Sequence, residues 1–225
     1  MELSQNTLDV LKNFSGINQN LLIKEGNTIK TISEAKNVVA TAHVAEEFPQ
    51  TLGIYDLNEF IGVLGLVDNP NLKFTDSSVL VGDASGRSQV RYFFSPEETL
   101  TSPTKDINMP SSEVKFTLDN ETMGKIKRAA STLGHNELSV TQSDGVLRLS
   151  VLDTTNSTSN SYVIDMEGEF AEGAVFNFIL SISNLKMISG DYEVSISSKL
   201  ISEFKNKDMN VSYWVALEKS STFGA

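Results

Sequence analysis

The sequence contains no cysteine, only two histidines and only five prolines in 225 residues. Without cysteine, neither a disulfide framework nor a thiolate metal site can hold the fold together, and a reducing cytoplasm suits such a chain. It also has no apolar run near the roughly 20 residues that a membrane span needs. No charged segment followed by an apolar one opens the chain. We therefore expect an unexported protein with no membrane partner.

Residues for catalysis are also scarce. His43 lies in an alternating strand and His135 follows Gly134 in a turn, so neither forms a histidine pair at metal-ligand spacing. Residues 82–87 resemble a phosphate-cradling loop, but no Gly-Lys-Ser/Thr follows and the stretch joins two predicted strands as a hairpin turn. We expect no catalytic residue, no cofactor and no metal. A glycosidase or nuclease built from distant carboxylates stays open as an alternative.

Basic residues are fewer than acidic residues in this sequence. The net charge is −11 and the isoelectric point is near 4.6, which opposes DNA binding at long range. Acidic residues gather at three places, which are Glu46-Glu47, Glu97-Glu98 and residues 165–172. In contrast, Lys125, Lys127 and Arg128 fall together in a predicted helix. The pattern allows an acidic exterior with one basic face, or merely a solvated helix face.

What the chain does contain is a division into two similar halves. Three of the five prolines lie in the polar stretch 95–112, between segments of alternating polarity, and this composition is typical of a linker. We predict an N-terminal domain over residues 1–94, an interdomain linker over 95–110 and a C-terminal domain over 111–225. Both domains fall within the ordinary size range.

Each half opens with an amphipathic helix. The apolar stripes predicted for these two helices are Leu8, Leu11 and Phe14 in the first half and Met123, Ile126, Ala130 and Leu133 in the second. A hairpin follows in each half, turning at Glu25-Gly26 and at Asp144-Gly145.

A second short helix is then predicted in each half, starting at Asp56 and at Ser181, and aromatic strands close both halves. The fold class is α+β, with helices on one face of antiparallel sheets in two similar domains.

Five stretches also resemble the sliding clamps of T4-type bacteriophages. They are LKNF at 11–14, IYDLNEF at 54–60, FNFI at 176–179, NLKM at 184–187 and YWVALE at 213–218. The resemblance spans nearly the whole chain and rests on the order and spacing of these stretches. It implies two DNA-clamp domains per subunit and a homotrimeric ring whose helices line a central hole.

The resemblance further implies a non-catalytic function, that of a DNA polymerase sliding clamp. Such a ring encircles duplex DNA without reading its sequence and tethers the replicative polymerase, which confers processivity. The implied partners are double-stranded DNA, copies of the chain itself, the replicative DNA polymerase and a clamp loader ATPase. Late-transcription factors are a further partner class that it leaves open. The implied location is the cytoplasm of an infected bacterial host.

In this reading the DNA contacts come from five cations. At 100° per residue, Arg128 lies opposite the apolar stripe of its helix, with Lys125 beside it and Lys127 nearer the margin. Lys12 lies on the outer flank of the first helix, and Lys186 on that of the second domain's other helix. The alternative to DNA contact is that these side chains only keep the helices soluble. The rival function is a phage structural ring or tube protein, which would not need the basic face.

Overall fold

The computed structural model describes residues 1–83 and 85–224. The chain divides into two compact units, Met1–Asp106 and the residues from Ile107 onward. Each unit combines helix with antiparallel sheet, so the predicted α+β class is confirmed. Within the described ranges, no helix is long and apolar enough to cross a membrane.

Among the described residues, the first unit contains two α-helices, seven strands and one 3-10 turn, Glu97–Thr99. In chain order they are α1 (Gln5–Ser15), β1 (Leu21–Ile23), β2 (Gly26–Ile32), β3 (Val38–Phe48), β4 (Leu52–Ile54), α2 (Leu57–Leu64), β5 (Asn71–Phe74), β6 (Ser78–Gly82) and β7 (Gln89–Phe93). Antiparallel pairing joins β3, β2, β1 and β4 in that order, and β5, β6 and β7 in a second group. The predicted turn at 82–87 links β6 to β7, although its Ala84 lies outside the described residues.

In residues 107–224, which the structure describes, the second unit has one α-helix and ten strands. In chain order they are β8 (Val114–Leu118), α3 (Asn120–Leu133), β9 (Glu137–Ser143), β10 (Val146–Leu152), β11 (Tyr162–Met166), β12 (Glu169–Phe170), β13 (Val175–Ser181), β14 (Tyr192–Ser197), β15 (Ile201–Asn206), β16 (Val211–Ala216) and β17 (Thr222–Gly224). One antiparallel group runs β11-β10-β9-β13-β17, and the other runs β12-β8-β14-β15-β16.

The two units repeat one plan. The pairing order β3-β2-β1-β4 of the first unit corresponds to β11-β10-β9-β13 of the second, and β5-β6-β7 corresponds to β14-β15-β16. The amphipathic helices α1 and α3 hold matching places before these strands. Of the predicted stripes, Leu11 and Phe14 on α1 and Met123, Ile126 and Ala130 on α3 are buried. Leu8 and Leu133 are only half-buried, and α1 also buries Val10.

Local signals set the ends of several elements. Asp119 caps α3 by accepting a hydrogen bond from the Thr122 amide at 2.6 Å. Asp56 caps α2 by accepting from the amides of Asn58 and Glu59. Asp144 and Gly145 both have positive φ, 53° and 80°, as the tight turn between β9 and β10 requires.

The prediction of a helix that starts at Ser181 is wrong. Only a single 3-10 turn, Ile182–Asn184, forms there. The side chain of Asn136 binds this turn, since its Oδ1 accepts from the Ser183 amide and its Nδ2 donates to the Ser181 hydroxyl. Further on, the Ile188 amide donates to the Tyr213 hydroxyl and the Ile188 carbonyl accepts from Tyr192. Backbone groups that a helix would pair internally are thus used by side chains.

Candidate nucleic-acid interface

The exposed face of α3 carries the densest group of cations that the sequence predicts. Lys125, Lys127 and Arg128 are all exposed, whereas Met123 and Ile126 are buried. At 100° per residue, Arg128 points directly away from the buried stripe. The helix holds three cations against one carboxylate, Glu121, so its net charge is +2. This basic face belongs to a chain whose total charge is −11.

Lys125 is partly neutralised within its own helix. Its Nζ lies 2.6 Å from Oε1 of Glu121, one turn earlier, and the two side chains are 44% and 75% exposed. The hydrogen bond and the charge of Glu121 raise the pKa of Lys125, which therefore stays cationic. Because exposed ion pairs of this kind are weak, a second anion can replace the glutamate.

Arg128 and Lys127 differ in their surroundings. A Cβ placed on Gly124 would lie 3.2 Å from Nη1 of Arg128, so the guanidinium folds back over the position where the helix has no side chain. Lys127 is exposed as a whole, yet desolvation lowers the pKa of its ammonium. The two residues therefore present different cations, a planar fork near the surface of the helix and a less solvated point charge.

Lys12 is exposed on α1 and faces away from that helix's buried stripe. The only other charged residue of α1 is Asp9, which accepts a hydrogen bond from Gln5 at 2.8 Å. The charges of Lys12 and Asp9 cancel, so the net charge of α1 is zero.

Glu46 of β3 holds the first turn of α1 by accepting from the Ser4 amide and the Thr7 hydroxyl. Burial raises the pKa of the Glu46 carboxyl, but the hydrogen bonds from Thr7 and Ser4 outweigh this effect, so the pKa is lowered overall.

Lys186 is exposed but does not lie on a helix. It follows the 3-10 turn that replaces the predicted second helix, so its predicted placement on a helix flank was wrong for the reason given above. The structure therefore gathers Lys125, Lys127 and Arg128 on one face and leaves Lys186 on a separate, non-helical segment of the same unit.

Several other cations are paired with carboxylates away from the helices. Lys24 lies 3.8 Å from Glu97, Lys30 pairs with Asp106, and Arg148 binds Asp165 through two nitrogens at 2.7 and 3.0 Å. These ion pairs neutralise basic side chains on β2, on β10 and in the turn between β1 and β2. Because these cations are neutralised, the net charge of +2 on α3 contrasts more strongly with its surroundings.

A cleft of about 320 Å³ lies along α3. Its walls are Lys125, Arg128, Ala129, Thr132, Leu133, Ser161 and Tyr162, and we name it the α3 cleft. Sequence reasoning missed Glu121 and Tyr162 as neighbours of the predicted cations. The four-residue spacing from Glu121 to Lys125 could have revealed the first. Nothing local could have revealed Tyr162, which belongs to β11.

The two histidines occupy ordinary structural positions. Nδ1 of His43 lies 3.0 Å from the Thr28 hydroxyl on the neighbouring strand. Nε2 of His135 lies 2.8 Å from the Asn160 carbonyl. Among the residues that the structure describes, no group of three or more histidine, aspartate and glutamate side chains is arranged to hold a metal ion.

Solved structures with this architecture identify the fold. The chain matches Proliferating Cellular Nuclear Antigen from Entamoeba histolytica with a TM-score of 0.69 at 14% identity, over 96% of this chain and 97% of that one. It matches A. fulgidus PCNA, solved with the C-terminal region of FEN-1, with a TM-score of 0.72 at 14% identity, over 98% of both chains. The two units thus form the fold of a PCNA-like sliding clamp.

Sequence comparison shows which sliding clamps this chain is similar to. A family described as "DNA polymerase processivity factor" matches residues 4–93, and one described as "gp45 sliding clamp, C terminal" matches residues 115–219. The sliding clamp of Vibrio phage KVP40 is 31% identical over 97% of this chain and 99% of its own length. Those of Escherichia phage RB69 and Enterobacteria phage T4 are 27% and 28% identical, each over 99% of both chains.

The chain belongs to the bacteriophage sliding clamp family and is a DNA polymerase sliding clamp. Members of this family are non-catalytic accessory proteins that confer processivity on a polymerase. The resemblance predicted from the sequence is confirmed, and the alternative of a phage structural ring or tube is not favoured.

Proposed function

We propose that three copies of this clamp close into a ring around duplex DNA and that the exposed cations of α3, above all Lys125 and Arg128, contact the duplex. The observation that carries the proposal is the net charge of +2 on α3 within a chain of net charge −11. Lys127, Lys12 and Lys186 are further proposed contacts. The limits of the two domains, 1–94 and 111–225 with a linker over 95–110, belong to the same proposal.

The charge distribution suits a protein that slides. Lysine and arginine contacts to phosphate carry no sequence information, so the duplex can move past them without meeting a preferred site. The ring holds DNA by topology, so each contact needs to be only weak and screened. Acidic residues elsewhere on the surface discourage binding to nucleic acid from outside the ring.

Ring closure is supported by two open strand edges. Of the described strands, only β6 pairs with β7 and only β10 pairs with β11. Phe93 on β7 is 63% exposed and Val163 on β11 is 46% exposed. Pairing of one copy's β7 with the next copy's β11 would cover both edges and would be a head-to-tail contact, which closes into a ring when the rotation allows.

The proposed partners follow from the family. They are the replicative DNA polymerase, a clamp loader ATPase that opens the ring, and late-transcription factors, all in the cytoplasm of the infected host. The structure of A. fulgidus PCNA with the C-terminal region of FEN-1 supports docking of partner segments on this fold. We assign no catalytic activity to the chain.

Primer extension by a cognate T4-type polymerase and loader tests this function. We expect wild-type protein to lengthen the products of each binding event, and Lys125→Ala combined with Arg128→Ala to reduce that gain or make it more sensitive to salt. Lys205→Ala combined with Lys207→Ala is the matched control, since it removes two exposed cations of the same unit outside α3.

The control pair should retain the full gain. An equal loss in both double variants would contradict the assignment of DNA contact to α3. No gain with wild-type protein would contradict the clamp function itself.

A further inference from the structure

The two strand edges proposed to meet in the ring carry opposite charges. Arg91 is the only charged residue of β7, and Asp165 is the only charged residue of β11. Arg91 is exposed and has no carboxylate partner among the residues that the structure describes. The side chain of Asp165 is 48% exposed. Each edge thus offers the charge that the other lacks, which favours contact between two copies of the chain.

The register within the first unit fixes the two faces of β7. Val90 and Tyr92 lie opposite buried valines of β6, so they share the face that packs against the core. Arg91 and Phe93 therefore lie on the opposite face, where Phe93 is largely exposed. A large apolar ring on an unpaired edge strand is surface that a partner strand can cover.

β11 repeats this arrangement in the second unit. Ile164 and Met166 lie opposite buried leucines of β10 and face the core, whereas Val163 and Asp165 lie on the other face. A sheet that continues from β7 of one copy into β11 of the next must keep the two core-facing sets on one side. A slip of one residue would turn one set towards solvent, so this condition excludes every second register.

We propose that β7 of one copy pairs antiparallel with β11 of the next in the register that sets Arg91 beside Asp165 and Phe93 beside Val163. We call this contact the seam. The inference rests on the proposed ring and adds the residues that fix how neighbouring copies align. An opposite-charge pair and an aromatic pair with a β-branched residue are both stabilising neighbours across antiparallel strands.

The same register also matches the core-facing side of the seam. It brings Val90 to Met166 and Tyr92 to Ile164, so apolar and aromatic side chains meet there as well. The buried layer of one copy's first unit thus continues into that of the next copy's second unit, and no charged side chain is forced into it.

Other registers that keep the core face are less favourable. The two nearest antiparallel ones set Phe93 beside Ser161 or beside Asp165. A parallel pairing that keeps Arg91 beside Asp165 would set Phe93 beside Glu167. Each of these places the exposed phenyl ring against a polar side chain, whereas the proposed register satisfies the charge and the ring together.

Asp165 does not come to the seam unpaired. Arg148 of the same copy binds both of its carboxylate oxygens, at 2.7 and 3.0 Å, and this ion pair lowers the pKa of Asp165 and keeps it ionised. A carboxylate has about four acceptor sites, so Arg91 of the other copy can bind it as well. When the seam opens, Asp165 keeps Arg148 and only Arg91 returns to water. Opening therefore leaves no carboxylate unpaired, which suits a ring that has to open to admit DNA.

Disulfide trapping tests the register directly, because the chain has no cysteine of its own. Phe93→Cys combined with Val163→Cys should join neighbouring copies under oxidation with diamide, and denaturing electrophoresis should show covalent multimers. Directly opposite residues of antiparallel strands have Cα atoms about 4.5–5.5 Å apart, which a disulfide spans. Diagonal neighbours, at about 7–8 Å, are too far apart.

Matched controls use the positions that the neighbouring registers would bring together. Phe93→Cys with Ser161→Cys, and Phe93→Cys with Asp165→Cys, should not be trapped. Trapping of either control pair in place of the pair with Val163→Cys would overturn the register and leave the ring intact. No trapping in any pair would overturn the seam, and sedimentation then decides the ring, since a trimer retains it and a single chain contradicts it.

The charge pair is tested by the dilution at which the assembly dissociates, followed by analytical ultracentrifugation. Arg91→Ala and Asp165→Asn should each weaken association about two- to fivefold per seam. The double variant should lose less than the product of the two, because both changes remove one interaction. Lys73→Ala is the matched control, since it removes an exposed cation from β5, at the other edge of the β5-β6-β7 group, and should have no effect. Losses that multiply in the double variant would overturn the pairing of Arg91 with Asp165.

Discussion

The helices α1 and α3 hold the same place in the two units, yet only their buried faces are alike. Each packs an apolar stripe against strands, with Phe14 fully buried in one and Ile126 in the other. Their exposed faces differ, since α1 has net charge zero and α3 has net charge +2. Packing constrains the buried face in both units, whereas the solvent face is free to differ in charge.

The largest effect should come from the shared, buried face. Ile126→Ala removes side-chain volume from the core and should lower the free energy of unfolding of the second unit by about 2–5 kcal/mol. Trp214, the only tryptophan of the chain, lies on β16 of that unit and reports its unfolding by fluorescence. Arg128→Ala on the opposite face of α3 should change it by less than about 0.5 kcal/mol. Similar losses in both variants would contradict the division into a packed and a free face.

The helix ends provide the next contrast. Gly134 ends α3 in the left-handed region at φ 71°, whereas Gly65 ends α2 at φ −76°. Gly134→Ala should cost about 1–2 kcal/mol because a Cβ is disfavoured in that region. Gly65→Ala should cost nothing, since the nearest atom to its Cβ would lie 3.4 Å away. Urea unfolding followed by circular dichroism checks both, and equal costs would show that backbone conformation does not set the difference.

The N-termini of α1 and α3 are both capped by the adjacent residue, Ser4 and Asp119, and both also use a distant carboxylate. At α3, Asp191 accepts from the Asn120 amide; at α1, Glu46 accepts from the Ser4 amide and the Thr7 hydroxyl. Glu46→Gln should lower the free energy of unfolding by about 1 kcal/mol at neutral pH, through weaker hydrogen bonds to Ser4 and Thr7. Hydrogen bonding lowers the pKa of Glu46 in the folded protein below its ordinary value of 4.5. The contribution is therefore present above pH 4.5 and is lost as the pH falls through the lowered pKa.

Unfolding of wild type and Glu46→Gln across this range measures that effect. The two curves should differ at neutral pH and converge in acid. A difference that stays constant with pH would mean that the carboxylate charge does not hold the helix.

Local signals in the sequence were sufficient wherever one short stretch decides the structure. Asp144-Gly145 is a turn because both residues accept positive φ, and Asp56 begins α2 because its carboxylate accepts from nearby amides. The stripe of α3 could be predicted because its period is that of a helix. In each case the groups that interact lie within a few residues of one another.

The prediction at Ser181 failed because side chains from outside the segment bind its backbone, most of them distant along the chain. Ile182, Leu185 and Ile188 have helical spacing, but Asn136 and the buried Tyr192 and Tyr213 bind its backbone instead. Asn136 and Tyr213 are 47 and 25 residues away from the groups that they bind, so no local pattern contains them, whereas Tyr192 lies only four residues after Ile188. Lys186 was placed on a helix for the same mistaken reason.

The candidate site divides in the same way. The exposure of Lys125, Lys127 and Arg128 follows from the period of α3 and could be predicted. The wall formed by Ser161 and Tyr162 could not, because the fold alone brings β11 to this helix. The assignment of these cations to DNA stays a prediction, as do the limits of the two domains.

The most direct measurement of the central claim is the salt dependence of binding to a short labelled duplex, followed by fluorescence anisotropy. Each phosphate contact contributes about 0.9 to the slope of log affinity against log salt. For each copy whose helix contacts the duplex, Lys125→Ala plus Arg128→Ala should therefore reduce the slope by about 2, and Lys12→Ala by about 1 or less. That result would place most of the DNA contact on the second unit. An unchanged slope in the double variant, with a reduced slope for Lys12→Ala, would contradict the account.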